Sequence, residues 1–309
     1  MRLATKRCRC CGLQAFERCG PRLIMPFFAK YGLHLSITAR PNAPSAPGAL
    51  NSFSFFNQIE YGACSQCNLI APWPTISDDT LLDFYSFYLS ESYKVERGNH
   101  EAWYRSISAS HGSDAELEIR RQDNERYIEE RVKAHIGPIH EGQASMLDYG
   151  GGSGKVSPRF SWLSVDIYDV GDHLIRPRLD ENSDKTRTKL DALGRYDVIQ
   201  ALHVLEHVGD PRAIVTDACS MLKEGGIIFI EVPWEMQDFD TMKRGLNHIC
   251  DEHINKFCDK SIRLMMEGLG LEVILCESGY VNNIHITDPA RVVRCLARKG
   301  ASRRPSNDS

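Results

Sequence analysis

Short apolar runs alternate with segments of helical spacing through the second half of the chain. Apolar runs bounded by glycine, proline or asparagine are typical of buried strands, whereas apolar residues recurring every three or four positions are typical of helices packed on a sheet. This pattern predicts strands at 145–149, 162–167, 173–176, 196–201, 226–232, 271–277 and 291–297. It predicts helices at 210–223 and 259–269. The alternation indicates a doubly wound, seven-stranded α/β fold with a parallel sheet.

The ends of these two helices carry local signals. Asp210-Pro211 begins the first helix, because proline is accepted in an opening turn, and Glu224-Gly225-Gly226 ends it. Asp259 is the predicted cap of the second helix, which closes at Gly268.

Two further helices are predicted before the sheet. The first covers 75–93, where apolar and aromatic residues are interleaved with serine and acids. The second begins at Ser113, whose hydroxyl can cap it while Glu116 returns the bond, and it ends at Gly137-Pro138. Its mixed charges and one apolar side predict a helix that joins an N-terminal unit to the sheet.

Four cysteines mark that N-terminal unit. They form two C-x-x-C pairs, each followed by a residue that tolerates a left-handed turn, Gly12 or Asn68. Two such pairs complete a tetrahedral Zn²⁺ site, which is structural because no position remains for water. We therefore predict as zinc ligands Cys8, Cys11, Cys64 and Cys67. Two spare thiols that could replace a ligand are Cys10 and Cys19.

Composition limits the class of protein. With 42% hydrophobic and 25% charged residues among 309, the chain is an ordinary globular protein of one large domain or two. No apolar run approaches the roughly 18 residues of a membrane span, and the N-terminus lacks the apolar stretch of a secretory signal. Single cysteines in apolar surroundings are typical of reduced thiols, so the cytoplasm is the expected compartment.

The net charge of −4 hides a basic N-terminus. Residues 1–40 hold eight lysines or arginines and one acid, Glu17. Either this segment is a solvated surface, or it meets a phosphate-bearing partner such as a nucleotide-linked substrate or RNA.

The segment Met146-Leu-Asp-Tyr-Gly-Gly-Gly-Ser-Gly154 is the main candidate for a ligand site. An apolar run reaches Asp148 and breaks into glycines, as a buried strand does when it ends in a loop that lies against a ligand. A second apolar run ends at Asp166, where a carboxylate can accept both hydroxyls of a ribose. The loop lacks the third glycine of a pyrophosphate-binding loop, so it favours a nucleoside ligand without a diphosphate, such as S-adenosylmethionine.

The connection between these two runs departs from a regular fold. Only eleven residues separate Gly154 from Asp166, and Pro158 lies among them. Since proline inside a helix removes a hydrogen-bond donor and clashes with the preceding turn, the first crossover helix is predicted to be very short or irregular.

A series of blocks carries a family resemblance. In chain order they are Leu147 to Gly154, Asp166, Tyr196-Asp-Val-Ile, His203-Val-Leu-Glu-His207, Leu222-Lys-Glu-Gly-Gly226, Glu231-Val-Pro233 and Glu252-His253-Ile-Asn. Together they resemble class I S-adenosylmethionine-dependent methyltransferases, and more closely the group with an N-terminal zinc-binding unit that includes the deoxysugar C-methyltransferases. The resemblance covers residues 5–95 and 143–298.

The resemblance implies a domain organisation. We expect a zinc-binding domain at 1–95, a helical linker at 96–142, a methyltransferase domain at 143–298 and a disordered polar tail at 299–309. In the family, the glycine loop holds the methionine part of S-adenosylmethionine and the acid after the second strand holds its ribose. The predicted cofactor-binding residues are Asp148, Gly150, Gly152, Asp166, Ala201 and Leu202. Three acids compete for the adenine: Asp180, Asp184 and Asp191.

Candidate catalytic residues follow the fourth and fifth strands, at the carboxyl edge where such sheets bind ligands. His203 is expected to face the cofactor, whereas His207 either braces the next loop or joins the site. Glu252-His253 matches an active-site Glu-His pair of the deoxysugar C-methyltransferases, which implies His253 as the base and Glu252 as the residue that orients it. The alternatives are a packing role for His253 and, more weakly, a second metal, since no H-E-x-x-H spacing is present.

Three functions fit the sequence. The leading hypothesis is a methyltransferase acting on a sugar or sugar-derived substrate, nucleotide-linked or part of a surface glycan. RNA methylation is the second, although the acidic chain lacks a Lys/Arg stripe with aromatics beyond residue 40. The third is a non-catalytic protein that binds S-adenosylmethionine or a glycan-assembly complex. The acceptor atom and the oligomeric state stay open.

Overall fold

A small antiparallel sheet precedes a large mixed sheet in the computed structural model. The residues described are 6–23, 27–28, 58–88, 90–136, 144–170, 175–177, 186, 188–235, 252–281 and 290–300. The small sheet has the order β1 (Phe16–Leu23), β2 (Gln58–Cys64) and β3 (Ile70–Pro72). The first C-x-x-C pair precedes β1 and the second lies in the turn from β2 to β3, so the small sheet brings the two pairs together.

The segment predicted as one helix at 75–93 is two helices. α1 covers Asp78–Tyr85 and α2 covers Glu91–His100. The break occurs because Ser90 caps α2, with its hydroxyl accepting a bond from the backbone N–H of Tyr93. The boundary predicted at residue 95 therefore falls inside α2.

The helix predicted to start at Ser113 does so. α3 covers Asp114–Tyr127, and the Ser113 hydroxyl accepts the N–H of Glu116. The Glu116 carboxylate accepts the backbone N–H of Gly112, whereas the predicted capping pair would have it accept that of Ser113. The second bond of the pair is therefore displaced by one residue. The chain then continues through a π-helical turn at Ile128–Val132.

The large sheet has the order β6-β5-β4-β7-β8-β10-β9. Its strands are β4 (Ala144–Tyr149), β5 (Leu163–Tyr168), β6 (Ile175–Pro177), β7 (Tyr196–Leu202), β8 (Leu222–Pro233), β9 (Leu271–Val281) and β10 (Ala290–Lys299). The seven-stranded α/β fold is confirmed, but the sheet is not parallel throughout. β6 runs antiparallel to β5, and β10 runs antiparallel to β8 and β9. The segments before β6 and β10 are too short for the crossover of a dozen or more residues that parallel strands need.

Both faces of the central strands are apolar, as strands covered on two sides require. On one face, Leu147 and Ile230 belong to a core that includes the cysteines and two helices. These helices are α4 (Pro211–Met221) and α5 (Asp259–Gly268). On the other face, Met146 and Phe229 belong to a core with the end of α3 and the turn after it.

The ends of α4 and α5 differ in part from the predicted ones. Asp210 caps α4 as predicted, by accepting the N–H of Ala213. β8 begins directly after Met221, so the glycines predicted to end this helix lie in the strand. The N-cap residue of α5 is Cys258 and not Asp259. The Cys258 N–H donates to the Ser261 hydroxyl at 2.8 Å, as in a capping box.

No helix links β4 to β5 within residues 144–170, which confirms the predicted irregular crossover. α3 fastens the connection instead. Asn124 donates to the backbone oxygen of Val156 at 3.3 Å, and the Glu125 carboxylate accepts the N–H of Arg159 at 2.8 Å. The connection that follows the glycine loop is therefore hydrogen-bonded to α3.

The N-terminal unit docks directly on the large domain. Arg9 donates to the backbone oxygens of Pro72 and Gly209, and Ile70 and Lys256 exchange two backbone hydrogen bonds. These bonds join the small sheet to segments that flank the carboxyl edge. Among the described residues, no helix has the length and apolar character needed to cross a membrane.

Candidate functional site

Four cysteine side chains converge between the small sheet and α5. The Sγ atoms of Cys8 and Cys67 lie 3.7 Å apart, as do those of Cys11 and Cys64, and all four side chains are buried. Zn–S bonds of about 2.3 Å in a tetrahedron place the sulfurs about 3.8 Å apart. The donor set and its spacing therefore fit Zn²⁺.

The backbone around the cysteines supports this arrangement. Gly12 has φ 80° and Asn68 has φ 65°, the left-handed turns expected after each pair. The spare thiols are engaged elsewhere: Cys10 donates to the backbone oxygen of Ser261, and Cys19 donates to that of Glu17. We call Cys8, Cys11, Cys64 and Cys67 the cysteine cluster.

The glycine loop lies at the carboxyl edge of the large sheet, directly after β4. Gly150 has φ +78°, and a Cβ there would lie 2.5 Å from a methyl group of Val204. A Cβ on Gly151 would lie 2.6 Å from the carboxyl carbon of Asp148. The backbone of the loop therefore packs closely against the side chains of Val204 and Asp148, which explains glycine at both positions.

Two acids near the loop have different surroundings from those expected. β5 continues to Tyr168, so Asp166 does not end the strand, and its carboxylate accepts the Tyr196 hydroxyl at 2.8 Å. The acid that directly follows β5 is Asp169, which accepts the N–H of Gly152 at 3.0 Å. Sequence reasoning missed Asp169, although an acid directly after Ile-Tyr was a usable signal.

Of the remaining residues predicted to bind the cofactor, three lie in the described part of the chain and two lie outside it. Ala201 and Leu202 end β7 beside the loop, and Ala201 is buried. Asp191 is exposed and accepts bonds from Thr188. Asp180 and Asp184 lie outside the described residues.

Asp148 is buried at the end of β4. Its carboxylate accepts the hydroxyl of Ser157 at 2.5 Å, a residue in the irregular crossover that is itself fully buried. This bond links the predicted first acid of the site to the segment that replaces the crossover helix.

His203 lies between two carboxylates at the same edge. It has φ 54°, a left-handed conformation that is uncommon for a residue with a side chain. Its Nδ1 is 3.2 Å from Oε1 of Glu206, and its Nε2 is 3.1 Å from Oε1 of Glu231. Burial alone would lower the pKa of His203, but the two adjacent carboxylates outweigh burial and raise it.

Glu252 has a charged partner on α2. Its carboxylate pairs with the buried guanidinium of Arg97 on α2 at 2.5 Å. Burial alone would raise the pKa of Glu252, but the positive charge of Arg97 outweighs burial and lowers it. This ion pair links α2 to the edge of the sheet, and the role of Glu252 toward His253 stays a prediction.

A second carboxylate, that of Glu235, contacts His253. Its Oε1 lies 3.1 Å from Nδ1 of His253 and 3.1 Å from Nζ of Lys256. Sequence reasoning missed Glu235 because nothing in its local pattern connects it with a histidine 18 positions later.

His207, which follows β7, and His253, which precedes α5, are in contact at the carboxyl edge. The rings of His207 and His253 have centroids 4.8 Å apart, and ligand atoms of these residues and Glu206 lie within 4.8 Å of one another. Nδ1 of His207 is 3.0 Å from the backbone oxygen of Glu252. We call Glu206, His207 and His253 the Glu-His-His cluster. The predicted site residues His203 and His253 thus belong to one edge, linked through Glu206.

Residues 119–275 match the model of a family described as methyltransferase domain, and the chain belongs to that family. It is 32% identical over 123 residues to the ubiquinone biosynthesis O-methyltransferase of Parvibaculum lavamentivorans, a match that covers 34% of this chain and 48% of that protein. A 37-residue stretch is 49% identical to the protein of the same name from Marinobacter nauticus, covering 12% and 16%. The matches thus span about half of the first relative and less of the second.

The chain is also similar to solved structures at low identity. A Leishmania major S-adenosylmethionine-dependent methyltransferase is 11% identical, with a TM-score of 0.41, and the match covers 67% of this chain and 90% of that one. The CurJ carbon methyltransferase is 13% identical, with a TM-score of 0.39 and coverage of 72% and 71%.

Proposed function

We propose that this chain transfers a methyl group from S-adenosylmethionine to a small acceptor at the carboxyl edge of the large sheet. One observation carries the proposal: in a chain of the methyltransferase-domain family, the loop after β4 packs so closely that neither Gly150 nor Gly151 has room for a Cβ. When bound, S-adenosylmethionine supplies a methyl group on a sulfonium, which is open to attack by a nucleophile.

The described residues divide the binding task. Gly150 and Gly152 would lie against the methionine part of the cofactor, with Asp148 beneath them. Two acids are candidates for the ribose hydroxyls: Asp169, which we favour because it directly follows β5 and accepts the N–H of Gly152, and Asp166, the acid predicted from the sequence. The cysteine cluster would hold a structural Zn²⁺ that shapes the N-terminal unit.

The acceptor would approach between His203 and His253. A cleft beside His203 is lined by charged and amide side chains, among them Arg120, Asn124 and Arg294. His253 is the predicted base, and Glu235 would fix its ring through Nδ1, which assigns proton transfer to Nε2.

A sugar or sugar-derived acceptor is our first candidate, because the Glu252-His253 segment and the two C-x-x-C pairs resemble those of the deoxysugar C-methyltransferases. A phenolic acceptor is the second, and it is favoured by the similarity to ubiquinone biosynthesis O-methyltransferases. RNA is less well supported, since Arg9 is engaged with backbone oxygens and Arg18 pairs with Glu60.

A transfer assay with methyl-labelled S-adenosylmethionine tests the proposal. Nucleotide-linked sugars, catechol-type phenols and total RNA are offered as separate acceptor sets, and label in each set is counted. We expect transfer to one small-molecule set and none to RNA, with loss of transfer in a Gly150→Ala variant. Transfer to RNA alone would overturn the choice of acceptor class. Binding of S-adenosylmethionine without transfer to any set would favour a non-catalytic role.

A further inference from the structure

The Glu-His-His cluster is assembled by the fold from two distant parts of the chain. Glu206 and His207 follow β7, whereas His253 precedes α5, and the three offer one ligand atom each within 4.8 Å. Val204, two residues before Glu206, would meet a Cβ on Gly150. The cluster therefore lies next to the glycine loop.

Glu206 is the least satisfied member of this cluster. Its side chain is fully buried, and Oε1 lies 3.2 Å from Nδ1 of His203, an ion-pair contact when that ring is protonated. Neither oxygen has a hydrogen bond of normal geometry within the described part of the chain, and Oε2 has no ion-pair contact there. Oε1 lies 3.8 Å from Nε2 of His207, a distance that a small cation between them would bridge. A buried carboxylate is expected to be fully hydrogen-bonded, ion-paired or bound to a metal.

The second nitrogen of each histidine is held as metal-binding histidines require. Nδ1 of His207 lies 2.5 Å from the Tyr85 hydroxyl and 3.0 Å from the backbone oxygen of Glu252. The Tyr85 hydroxyl also lies 3.2 Å from that oxygen and can donate to it, in which arrangement the N–H is on Nδ1 and Nε2 keeps its lone pair. Nδ1 of His253 faces the Glu235 carboxylate, which assigns Nε2 as its ligating atom. Histidine ligands usually donate their other N–H to a carbonyl or carboxylate in this way.

We propose that Glu206, His207 and His253 bind one divalent transition-metal cation through Oε and two Nε2 atoms. Two imidazoles and one carboxylate suit Zn²⁺, Mn²⁺ or Fe²⁺, and three protein ligands leave positions for the acceptor. The site is separate from the cysteine cluster, which offers four sulfurs and no open position. Ligand atoms about 3 Å apart are usual around such cations, so the cluster contracts on binding.

The catalytic meaning of this site rests on the proposed methyl transfer. An acceptor hydroxyl that coordinates a divalent cation loses its proton more readily, because the cation stabilises the oxyanion. With a cation bound, His253 would act as a ligand, and the acceptor's proton would pass to His203 or to bulk water while the acceptor oxygen attacks the methyl group. His203, 3.2 Å from Glu206, would flank the site.

Titration with Mn²⁺ followed by electron paramagnetic resonance tests the site without cofactor or acceptor. Mn²⁺ prefers oxygen and nitrogen ligands, so the cysteine cluster does not compete for it. We compare the wild type with Glu206→Gln and His253→Gln, and use the exposed Glu130→Gln as the matched control. We expect about one Mn²⁺ per wild-type chain, affinity lowered about ten-fold or more in the two cluster variants, and no change in the control.

The result can overturn the site independently of the proposed function. Equal Mn²⁺ affinity in wild type and His253→Gln would remove the proposal, and so would the absence of saturable binding in the wild type. The His253 side chain is 29% exposed, so this variant should fold even if Glu206→Gln does not. Circular dichroism of each variant verifies folding. Binding of S-adenosylmethionine, measured in a separate titration, reports on the proposed function alone.

Discussion

The cysteine cluster and the Glu-His-His cluster are both groups of metal-competent side chains, but only the first is closed. The cysteine cluster has four buried thiols, with paired sulfurs 3.7 Å apart. The Glu-His-His cluster has three members, spreads to 4.8 Å and includes a histidine side chain that is 29% exposed. A closed tetrahedron leaves no place for a reacting group, whereas an open site does. We therefore expect the first to stabilise the fold, and the second, if it binds the proposed cation, to meet a ligand.

Their positions in the fold agree with this division. The cysteine cluster belongs to the core on one face of the large sheet, where Cys10 also bonds to the start of α5. The Glu-His-His cluster lies at the carboxyl edge, where α/β sheets bind ligands. Changes to the cysteines should therefore alter stability first, and changes at the edge should alter binding or turnover first.

Removal of the cysteine cluster is expected to have the largest effect. Cys8→Ser/Cys64→Ser should lower zinc from about one equivalent per chain toward zero, because two thiolates cannot hold a structural site. The melting temperature should fall by more than about 10 °C, since structural zinc contributes folding free energy directly. Metal analysis and thermal melts check both values.

Cys19→Ser is the matched control, because Cys19 lies outside the cluster and donates to Glu17. It should keep its zinc and its melting temperature. Full zinc retention in the double variant would break the distinction between the two clusters.

His253→Gln is expected to act on turnover and leave stability nearly unchanged. Whether this histidine serves as base or as metal ligand, turnover should fall by about 10²–10⁴-fold. The melting temperature should shift by no more than about 3 °C, because the ring is partly exposed. Steady-state kinetics with the identified acceptor provides the measurement. His135→Gln serves as a control, and a loss below about five-fold in His253→Gln would contradict the role given to the edge.

The buried Arg97–Glu252 ion pair lies beside the Glu-His-His cluster, and we expect it to affect stability first. Arg97→Met leaves the Glu252 carboxylate buried without its partner, which should cost about 3–5 kcal/mol of unfolding free energy. Urea denaturation measures this change. A double variant, Arg97→Met/Glu252→Leu, should recover part of the loss. If Arg97→Met is as stable as wild type, the pair is not what anchors α2.

The two acids near the glycine loop should separate in a binding experiment. Asp169→Asn should weaken S-adenosylmethionine about ten-fold or more, because a charge-assisted bond to ribose contributes about 1.5–3 kcal/mol. Asp166→Asn should change affinity less, since its carboxylate already accepts the Tyr196 hydroxyl. Calorimetric titration of both variants measures the difference. The opposite order would restore Asp166 as the ribose acid predicted from sequence.

Features with a local signature were predictable from sequence. The residue after a C-x-x-C pair often has a left-handed backbone conformation, which glycine and asparagine tolerate. Gly12 and Asn68 therefore indicated that the two pairs bind a metal before any contact was known. The missing crossover helix followed from Pro158 and a short spacing, because a helix cannot form there. Local geometry decides both features.

Features that depend on distant partners were not predictable. Arg97 and Glu252 are 155 positions apart, so no local pattern could show that this carboxylate is already paired. The length of β5 is set by its pairing with β4, where Tyr149 is opposite Tyr168, and this pairing places Asp166 inside the strand. Glu235 reaches His253 only because β8 and the segment before α5 meet at the edge.

The central claim is that the glycine loop at the carboxyl edge binds S-adenosylmethionine, and a paired titration tests it most directly. Gly150 and Gly225 have nearly equal φ values, +78° and +77°, but only Gly150 has a neighbour in the way of a Cβ. Alanine should therefore strain the backbone equally at both positions, by about 1 kcal/mol, and disturb the loop only at Gly150. We predict one S-adenosylmethionine per wild-type chain, affinity unchanged in Gly225→Ala and at least about ten-fold weaker in Gly150→Ala. Equal affinity in the two folded variants, or no binding to the folded wild type, would contradict the claim.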